Sequence, residues 1–257
     1  MLAEERFSVI LHLLEEQRAV TVVQLAQTLK ASESTIRRDL QTLAQQGRVN
    51  KVHGGAVLCH PCNDVLEPAL RKEDARKQQK ERIARYAAAQ IHPEDVVFLD
   101  AGTTTLEMIA HLDATSTALF VTRGLAHAQK LAQRGLRVYL PGGLIKTGTE
   151  SIVGTAALHS LSQYHFTKAF LGVNGIDLHQ GFTTPDPEEG LLKAVAIQQS
   201  YMSYVLADSS KFNRVSAATV ATLDKACIIT DRLEDARYAQ HAVIKQVDCD
   251  RKPDASI

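Results

Sequence analysis

An α/β domain on a mostly parallel sheet, preceded by a small helical module, is the architecture this sequence predicts. Three observations predict it. The first 57 residues carry three apolar stripes at helical spacing and close on His53-Gly54-Gly55. From Val96 onward, short β-rich apolar runs alternate with helical stretches, the pattern of strands covered on both faces. Glycine, threonine, aspartate and asparagine recur where those runs end, which is where such sheets bind ligands.

In the first helix Phe7, Ile10, Leu11 and Leu14 recur at i, i+3, i+4 and i+7 and define one face. Thr21-x-x-Gln24 reads as a capping box opening a second helix with Leu25, Ala26 and Leu29 inward. After a Lys30-Ala31 turn, Ser32 is a favourable N-cap for a third helix with Ile36, Leu40 and Leu43 inside, and Gly47 ends it. Arg48 to Val52 and Ala56-Val57 flank the Gly-Gly turn as a two-stranded wing, so residues 1–57 read as a winged helix-turn-helix.

The composition bounds what such a module can bind. Lys+Arg and Asp+Glu are both 29, so the chain is not uniformly basic and cannot coat nucleic acid indiscriminately. Positive charge is local: Arg37, Arg38, Arg48 and Lys51 stand against Asp39 alone. Opposite its apolar stripe the third helix carries Ser34, Arg38, Gln41 and Gln45, with Arg37 flanking and Thr35 at the other edge. Hydroxyls and guanidinium groups suit phosphates, while Arg and Gln suit base edges. A solvated basic helix face would carry the same residues; the helix-turn-helix before it and the wing after it favour DNA. Ser32, Lys51 and His53 complete the expected DNA-facing set.

Ser32-Glu33-Ser34-Thr35-Ile36-Arg37-Arg38-Asp39-Leu40, followed by Gly47 and Val52-His53-Gly54-Gly55-Ala56, resembles the signature of the DeoR family of bacterial sugar-metabolism regulators. The resemblance implies a sequence-specific module, usually a repressor, whose third helix enters the major groove of double-stranded operator DNA. Asp39, an acid beside DNA, is expected to hold Arg38 or a backbone group.

Residues 58–79 read as a linker and 80–257 as a second, effector domain, whose opening charged helix has Ile83, Ala84 and Ala87 as its apolar face. Cys59-His60-Pro61-Cys62 could ligate zinc or form a redox disulfide. No second C-x-x-C or H-x₃-H accompanies it, and Cys227 and Cys249 are isolated, so neither a metal nor a cofactor is expected. No apolar run approaches the roughly 18 residues of a membrane helix, and the acidic N-terminus lacks a signal-peptide core, so a cytoplasmic protein is expected.

Candidate strands are 96–99, 118–121, 136–140, 169–173, 204–207, 226–229 and 242–244, with helices at 125–134 and 188–202 between them. Asp100-Ala101-Gly102-Thr103-Thr104-Thr105 follows the first strand and leads into a helix at Leu106, where hydroxyls and helix N–H groups could cradle an anion. Capping alone would explain one or two of those hydroxyls. Thr122-Arg123, Pro141-Gly142-Gly143, Gly172 to Asp177, Gly181 to Thr184 and Asp208 to Phe212 follow later strands. Each could be turn chemistry; their recurrence at successive strand ends points to one composite polar pocket.

These segments also resemble the family's effector domain, a fold similar to ribose-5-phosphate isomerases and coenzyme A transferases. Carried over by motif, Asp100, Gly102 to Thr105, Asn174, Gly175, Glu189, Lys193 and Lys211 would be ligand-side residues, and a phosphorylated sugar the ligand. Thr103 to Thr105 and Lys211 would suit the phosphate; Asp100, Asn174 and Glu189 would suit hydroxyls. Glu189 and Lys193 are also spaced as an ordinary i, i+4 surface pair. Arg123 departs from the family, which usually has Asn after Thr; an extra cation there would alter which sugar fits or signal a second acidic group on the ligand.

The alternative is a phosphosugar isomerase with an accessory DNA-binding module. The isomerase pattern is Asp-Gly-Ala-Asp followed by a Lys-Gly-rich loop, whereas this chain has Asn174-Gly175-Ile176-Asp177, and Gln180 before Gly181. Without the first carboxylate and the lysine, binding without proton transfer is expected, so the chain is not expected to be an enzyme. A homo-oligomer, dimer or tetramer, would present paired third helices to repeated half-sites.

Overall fold

The computed structural model describes residues 2–17, 19–58 and 76–247. The chain divides into two compact units, Met1–Pro61 and Cys62–Ile257. Cys59, Cys62 and Cys249, and most of the expected linker, lie outside the described residues.

The first unit runs α1 (Ala3–Gln17), β1 (Ala19–Thr21), α2 (Val22–Leu29), α3 (Glu33–Gln45), β2 (Val49–Val52) and β3 (Gly55–Leu58). Ile10, Leu11 and Leu14 of α1, Leu25 and Leu29 of α2, and Ile36, Leu40 and Leu43 of α3 converge on one core. The capping box is complete. Gln24 N–H donates to Thr21 Oγ1 at 3.2 Å, and Thr21 N–H donates to Gln24 Oε1 at 2.9 Å. Ser32 Oγ caps α3 by accepting from Thr35 N–H at 3.2 Å.

The wing differs from expectation. It has three strands, ordered β1-β3-β2, because Ala19–Thr21 pairs antiparallel with Gly55–Val57. Close approach makes this possible, since a Cβ on Gly55 would lie 2.4 Å from the Val20 carbonyl oxygen. A three-residue strand with one apolar residue carries no periodicity of its own.

The second unit runs α4 (Lys77–Ala88), β4 (Val96–Leu99), α5 (Thr103–Met108), β5 (Leu119–Thr122), α6 (Leu125–Gln133), β6 (Val138–Tyr139), β7 (Leu144–Lys146), β8 (Ser151–Val153) and α7 (Thr155–Leu161). It continues β9 (Phe166–Gly172), β10 (Gly175–Asp177), β11 (Gly181–Thr184), α8 (Pro187–Gln198), β12 (Ser200–Leu206), β13 (Ala218–Ala221), β14 (Cys227–Thr230) and β15 (Ile244–Gln246). Seven strands form one sheet, β15-β14-β12-β9-β4-β5-β6, and every neighbouring pair is parallel.

Both faces are covered, which is why these strands read as unbroken apolar runs. Val97 and Leu99 pack with Ile83 and Ala84 of α4, Met108 of α5 and Leu131 of α6. Between them Phe98 turns to the other face, against Leu161 of α7 and Leu192 and Ala196 of α8.

Four expectations are corrected. The helix expected over 188–202 stops at Gln198, because Ser200 and Met202 pair with Phe166 and Lys168 of β9. The helix expected from Leu106 begins at Thr103, so the threonines form its first turn. The expected strand 136–140 shortens to Val138–Tyr139 at the sheet edge. Residues 144–153, to which the sequence assigned no element, form an antiparallel β7–β8 hairpin, and the strand-end segments within 175–184 contain two strands of a small antiparallel sheet, β10-β11-β13.

No helix among the described residues is long and apolar enough to cross a membrane, and among them no group of three or more His, Cys, Asp and Glu could hold a metal ion.

Candidate functional site

On the first unit, α3 exposes Ser34, Arg37, Arg38 and Gln41 on the side away from its core, with Ser32 at its cap; Thr35 is half-buried. Lys51 Nζ of β2 donates to Gln41 Oε1 at 2.6 Å, so wing and helix share one polar surface. Arg37 is paired with Glu33 one turn earlier at 2.8 Å, while His53 is exposed at the wing tip. Asp39 does not hold Arg38. It is buried and takes a bidentate bond from Arg6 of α1, Nε to Oδ2 at 2.7 Å and Nη2 to Oδ1 at 3.0 Å. The acid beside the basic face is thus an internal tie between α1 and α3.

On the second unit the strand order reverses between β4 and β9. From β4 the chain moves outward to β5 and β6; from β9 it moves the other way to β12, β14 and β15. Parallel sheets open a crevice at such a reversal, outside the carboxyl ends of the strands. Asp100 follows β4 and Gly172 ends β9. The Gly172 N–H donates to Asp100 Oδ2 at 3.1 Å across the reversal.

Asp100 is the centre of a buried ion cluster. It has no exposed surface, and its Oδ1 accepts from Arg123 Nε at 2.7 Å while its Oδ2 also accepts from Lys193 Nζ. Lys193 Nζ donates further to the Gly172 carbonyl at 2.9 Å. Arg123, 1% exposed, reaches Glu189 Oε2 through Nη2 at 3.3 Å. Glu189 Oε1 accepts from Lys146 Nζ at 3.0 Å and from Thr149 Oγ1 at 3.2 Å, both from the β7–β8 hairpin. Lys146 also pairs with Asp186, which caps α8 by accepting from the N–H groups of Glu188 at 2.8 Å and Glu189 at 3.2 Å.

Three cations thus meet three carboxylates, and formal charge balances. Burial alone would raise the Asp100 pKa, but the Arg123 and Lys193 charges outweigh it and hold the group far below the usual carboxylate range. Burial opposes the charge of Arg123 too, and the carboxylates of Asp100 and Glu189 push its pKa up instead. For Glu189, Arg123 and Lys193 likewise overcome the penalty of burial and lower its pKa.

Beside the cluster, Thr105 is fully buried and its hydroxyl is engaged inside the loop. It donates to the Asp100 carbonyl at 2.6 Å and accepts from Gly102 N–H at 3.0 Å. His127 Nε2 lies 3.1 Å from both Thr105 Oγ1 and the Gly102 carbonyl. Burial pushes its pKa down to about 4, so the ring is neutral near neutrality and Nε2–H can donate to this pair.

The other expected residues are carried by neighbouring loops at the same sheet edge. Gly102, the N-cap of α5, and Thr103 and Thr104 in its first turn are half-buried. Thr122 is buried and its hydroxyl accepts from Gly124 N–H at 3.2 Å. Gly142 and Gly143 are exposed after β6. Asn174, half-buried, accepts from Thr184 Oγ1 at 3.4 Å, and Gly175 is required by packing, since a Cβ there would lie 2.4 Å from the Arg214 carbonyl oxygen. Lys211 ends the 3₁₀ turn Ser209–Lys211, which Asp208 caps by accepting from Ser210 N–H at 3.0 Å. Asp208 also accepts from Arg76 Nη1 at 2.5 Å.

The cluster therefore unites Asp100, Arg123, Glu189 and Lys193. It adds Lys146, Thr149 and Asp186, and His127 joins beside it; sequence reasoning missed all four. Asp186-Pro187 with Glu189 three residues after the cap was a readable helix start. Lys146 and Thr149 gave no signal, because the short hairpin strands carrying them show no apolar run or periodicity to which an element could be assigned.

Residues 6–62 match the family model of the DeoR-like helix-turn-helix domain, and residues 75–232 that of the DeoR C terminal sensor domain. The chain is 42% identical over 252 residues to the uncharacterized HTH-type transcriptional regulator FruR of Bacillus subtilis (strain 168), covering 96% of this chain and 99% of that one. It is 33% identical over 221 residues to the glycerol-3-phosphate regulon repressor of Escherichia coli (strain K12), covering 85% and 86%. Among solved structures, ribose 5-phosphate isomerase A of Methanocaldococcus jannaschii is similar over 54% of this chain and 55% of that one, with 14% identity and a TM-score of 0.41. With both domain models matched in order and relatives aligned over most of its length, this chain belongs to the DeoR family of transcriptional regulators.

Proposed function

We propose that this protein is a repressor of a sugar or sugar-alcohol utilisation operon, released from its operator by a phosphorylated sugar bound at the carboxyl edge of the sensor sheet. Family membership supports the DNA half, as does the exposed Ser34, Arg38 and Gln41 face tied to the wing through Lys51. The observation that carries the ligand half is the convergence, at the β4–β9 reversal, of Gly102 and the first turn of α5 with a cluster of six charged side chains, of which Asp100, Arg123 and Lys193 are buried. The working boundaries are 1–57 for DNA binding, 58–79 for the linker and 80–257 for sensing.

In this reading Asp100, Thr105 and Thr122 build the crevice from behind, since their polar atoms are engaged internally. Thr103, Thr104 and Lys211 meet the phosphate, while Asn174 and the exposed side of Glu189 meet hydroxyls. Gly142, Gly143 and Gly175 shape the backbone beside it. A dimer or tetramer in the cytoplasm reads repeated half-sites. A 100-fold release from DNA requires a coupling of about 2.7 kcal/mol.

The melting temperature of the full chain, followed against phosphorylated sugars and their unphosphorylated parents, tests the ligand half. An effector at 100 times its dissociation constant adds about 2.7 kcal/mol. A shift given by one phosphosugar, absent with its parent and lost in Thr104→Val or Lys211→Ala, is expected. No shift with any phosphosugar refutes the reading. Arg38→Ala should weaken operator binding and relax sequence choice, measured by fluorescence anisotropy over a range of salt; unchanged affinity and salt slope would reject α3 as the recognition helix.

A further inference from the structure

We infer that Arg123 determines effector specificity by presenting its remaining guanidinium edge to an uncharged oxygen of the sugar, so that the protein selects a monophosphate over a bisphosphate or a phosphorylated sugar acid. The inference rests on the sensor reading above.

Two of the three guanidinium nitrogens are committed. Nε meets Asp100 and Nη2 meets Glu189. Nη1, with two N–H bonds, is buried and has no hydrogen-bond partner among the described residues. Native interiors rarely leave such a donor unmatched, least of all one on a cation. The side chain cannot swing away to find solvent: two carboxylates hold its plane, and the Arg123 carbonyl is fixed by the Ile152 N–H at 2.7 Å. An acceptor must therefore come to it, at the crevice where β4 and β9 part.

Charge decides what kind of acceptor. The groups around the guanidinium are Asp100, Glu189 and Lys193, with Lys146 and Asp186 beyond Glu189. Their positive and negative charges already balance, so Arg123 has no uncompensated charge to offer a second anion. A second phosphate or a carboxylate at Nη1 would sit beside Asp100 and Glu189, which bond the same guanidinium, and like charges so placed are repelled. A hydroxyl or carbonyl oxygen supplies the lone pair without the charge. The arginine thus acts as a neutral-oxygen reader, opposite to what a lone cation at this position suggests from sequence.

Isothermal titration of the full chain tests this with fructose 6-phosphate, glucose 6-phosphate and glycerol 3-phosphate as monophosphates, and fructose 1,6-bisphosphate and 6-phosphogluconate as comparators that carry a second anionic group. One monophosphate should bind at least about 10-fold more tightly than both comparators. Removing the oxygen that faces Arg123, found by scanning mono-deoxy analogues of that ligand, should cost roughly 10- to 100-fold in the wild type. The same analogue should lose less than about 3-fold in Arg123→Gln and in Arg123→Lys, the second of which keeps the cluster balanced and guards against misfolding.

A comparator binding as tightly as the best monophosphate or more tightly, or a deoxy penalty equal in wild type and variants, overturns the role of Arg123 while leaving the sensor reading standing. Binding by no probe overturns both.

Discussion

Replacing Asp100 by asparagine keeps the shape of the side chain, removes its charge and turns one acceptor oxygen into an N–H donor. In the wild type that charge faces Arg123 and Lys193 with no solvent contact. Without it, Glu189 is, among the described residues, the one carboxylate left bonding Arg123, and Lys193 is left with neutral acceptors, the Gly172 carbonyl and at most the new amide oxygen. Breaking a buried pair by removing one partner costs about 3–5 kcal/mol, because the surviving charge stays desolvated. For a domain of 150–250 residues each kcal/mol lowers the melting temperature by roughly 2–4 °C, so the sensor transition should fall by about 6–20 °C. Calorimetry of the full chain at pH 7 measures this, and Lys193→Met should lower the same transition. The Asp100→Asn, Lys193→Met double variant removes one charge of each sign and should recover most of the loss. A fall of less than about 2 °C for Asp100→Asn, or strictly additive losses in the double variant, would refute the view that charge balance holds the crevice together.

His127 should make the sensor acid-sensitive. Its pKa is about 4 folded against 6.5 unfolded, so between those values only the unfolded state takes up the proton. Stability therefore falls as pH drops through that window, by up to about 3 kcal/mol. Urea midpoints at pH 4.5 and 7 should differ less in His127→Gln, and an unchanged difference would mean that another group carries the dependence. In the first unit, Arg6→Ala and Asp39→Asn should lower the DNA-binding transition, with the double variant no worse than the more damaging single change; additive losses would mean that the two do not act as a pair. Lys146→Met should speed amide exchange in β7 and β8 while β4 and β9 stay protected, since that lysine joins the hairpin to Asp186 and Glu189 of the α8 start and bonds neither central strand.

The N-terminal module was readable because its determinants are local: capping residues three apart, apolar stripes within one helix, a Gly-Gly turn. Its one gap, β1, exists only through pairing with β3 and has no local cause. The central strands were readable as apolar runs, but Ser200–Met202 looked helical because nothing local marks the change from α8 to β12; pairing with β9 makes it. The site shows the sharper limit. Glu189 and Lys193 fit the spacing of a surface pair, yet in the fold they do not bond each other. Glu189 turns to Arg123 and Lys146, and Lys193 turns inward to Asp100, 93 residues away. Arg123 was visible as an unusual cation, but its neutralisation by Asp100 and Glu189 depends on which strand ends the sheet brings together.

That arrangement also limits where a ligand can act. Asp100, Arg123 and Lys193 tie the end of β4, the end of β5 and α8 together in the interior, where each broken pair costs several kcal/mol. A coupling of about 2.7 kcal/mol cannot rearrange that floor. The outer contacts are different in kind. Lys146 is 16% exposed and latches the β7–β8 hairpin onto α8, while Arg76, 46% exposed, meets the Asp208 cap of the turn that carries Lys211. Each of these pairs has a partner that reaches solvent, so it is weaker than the fully buried pairs of the floor and more readily displaced by a ligand that competes for it. A ligand shifts an equilibrium only through contacts that differ between its states, and the groups able to differ lie on this rim. In the proposed reading, the rim rather than the floor is therefore the part of the sensor whose contacts a bound effector would change.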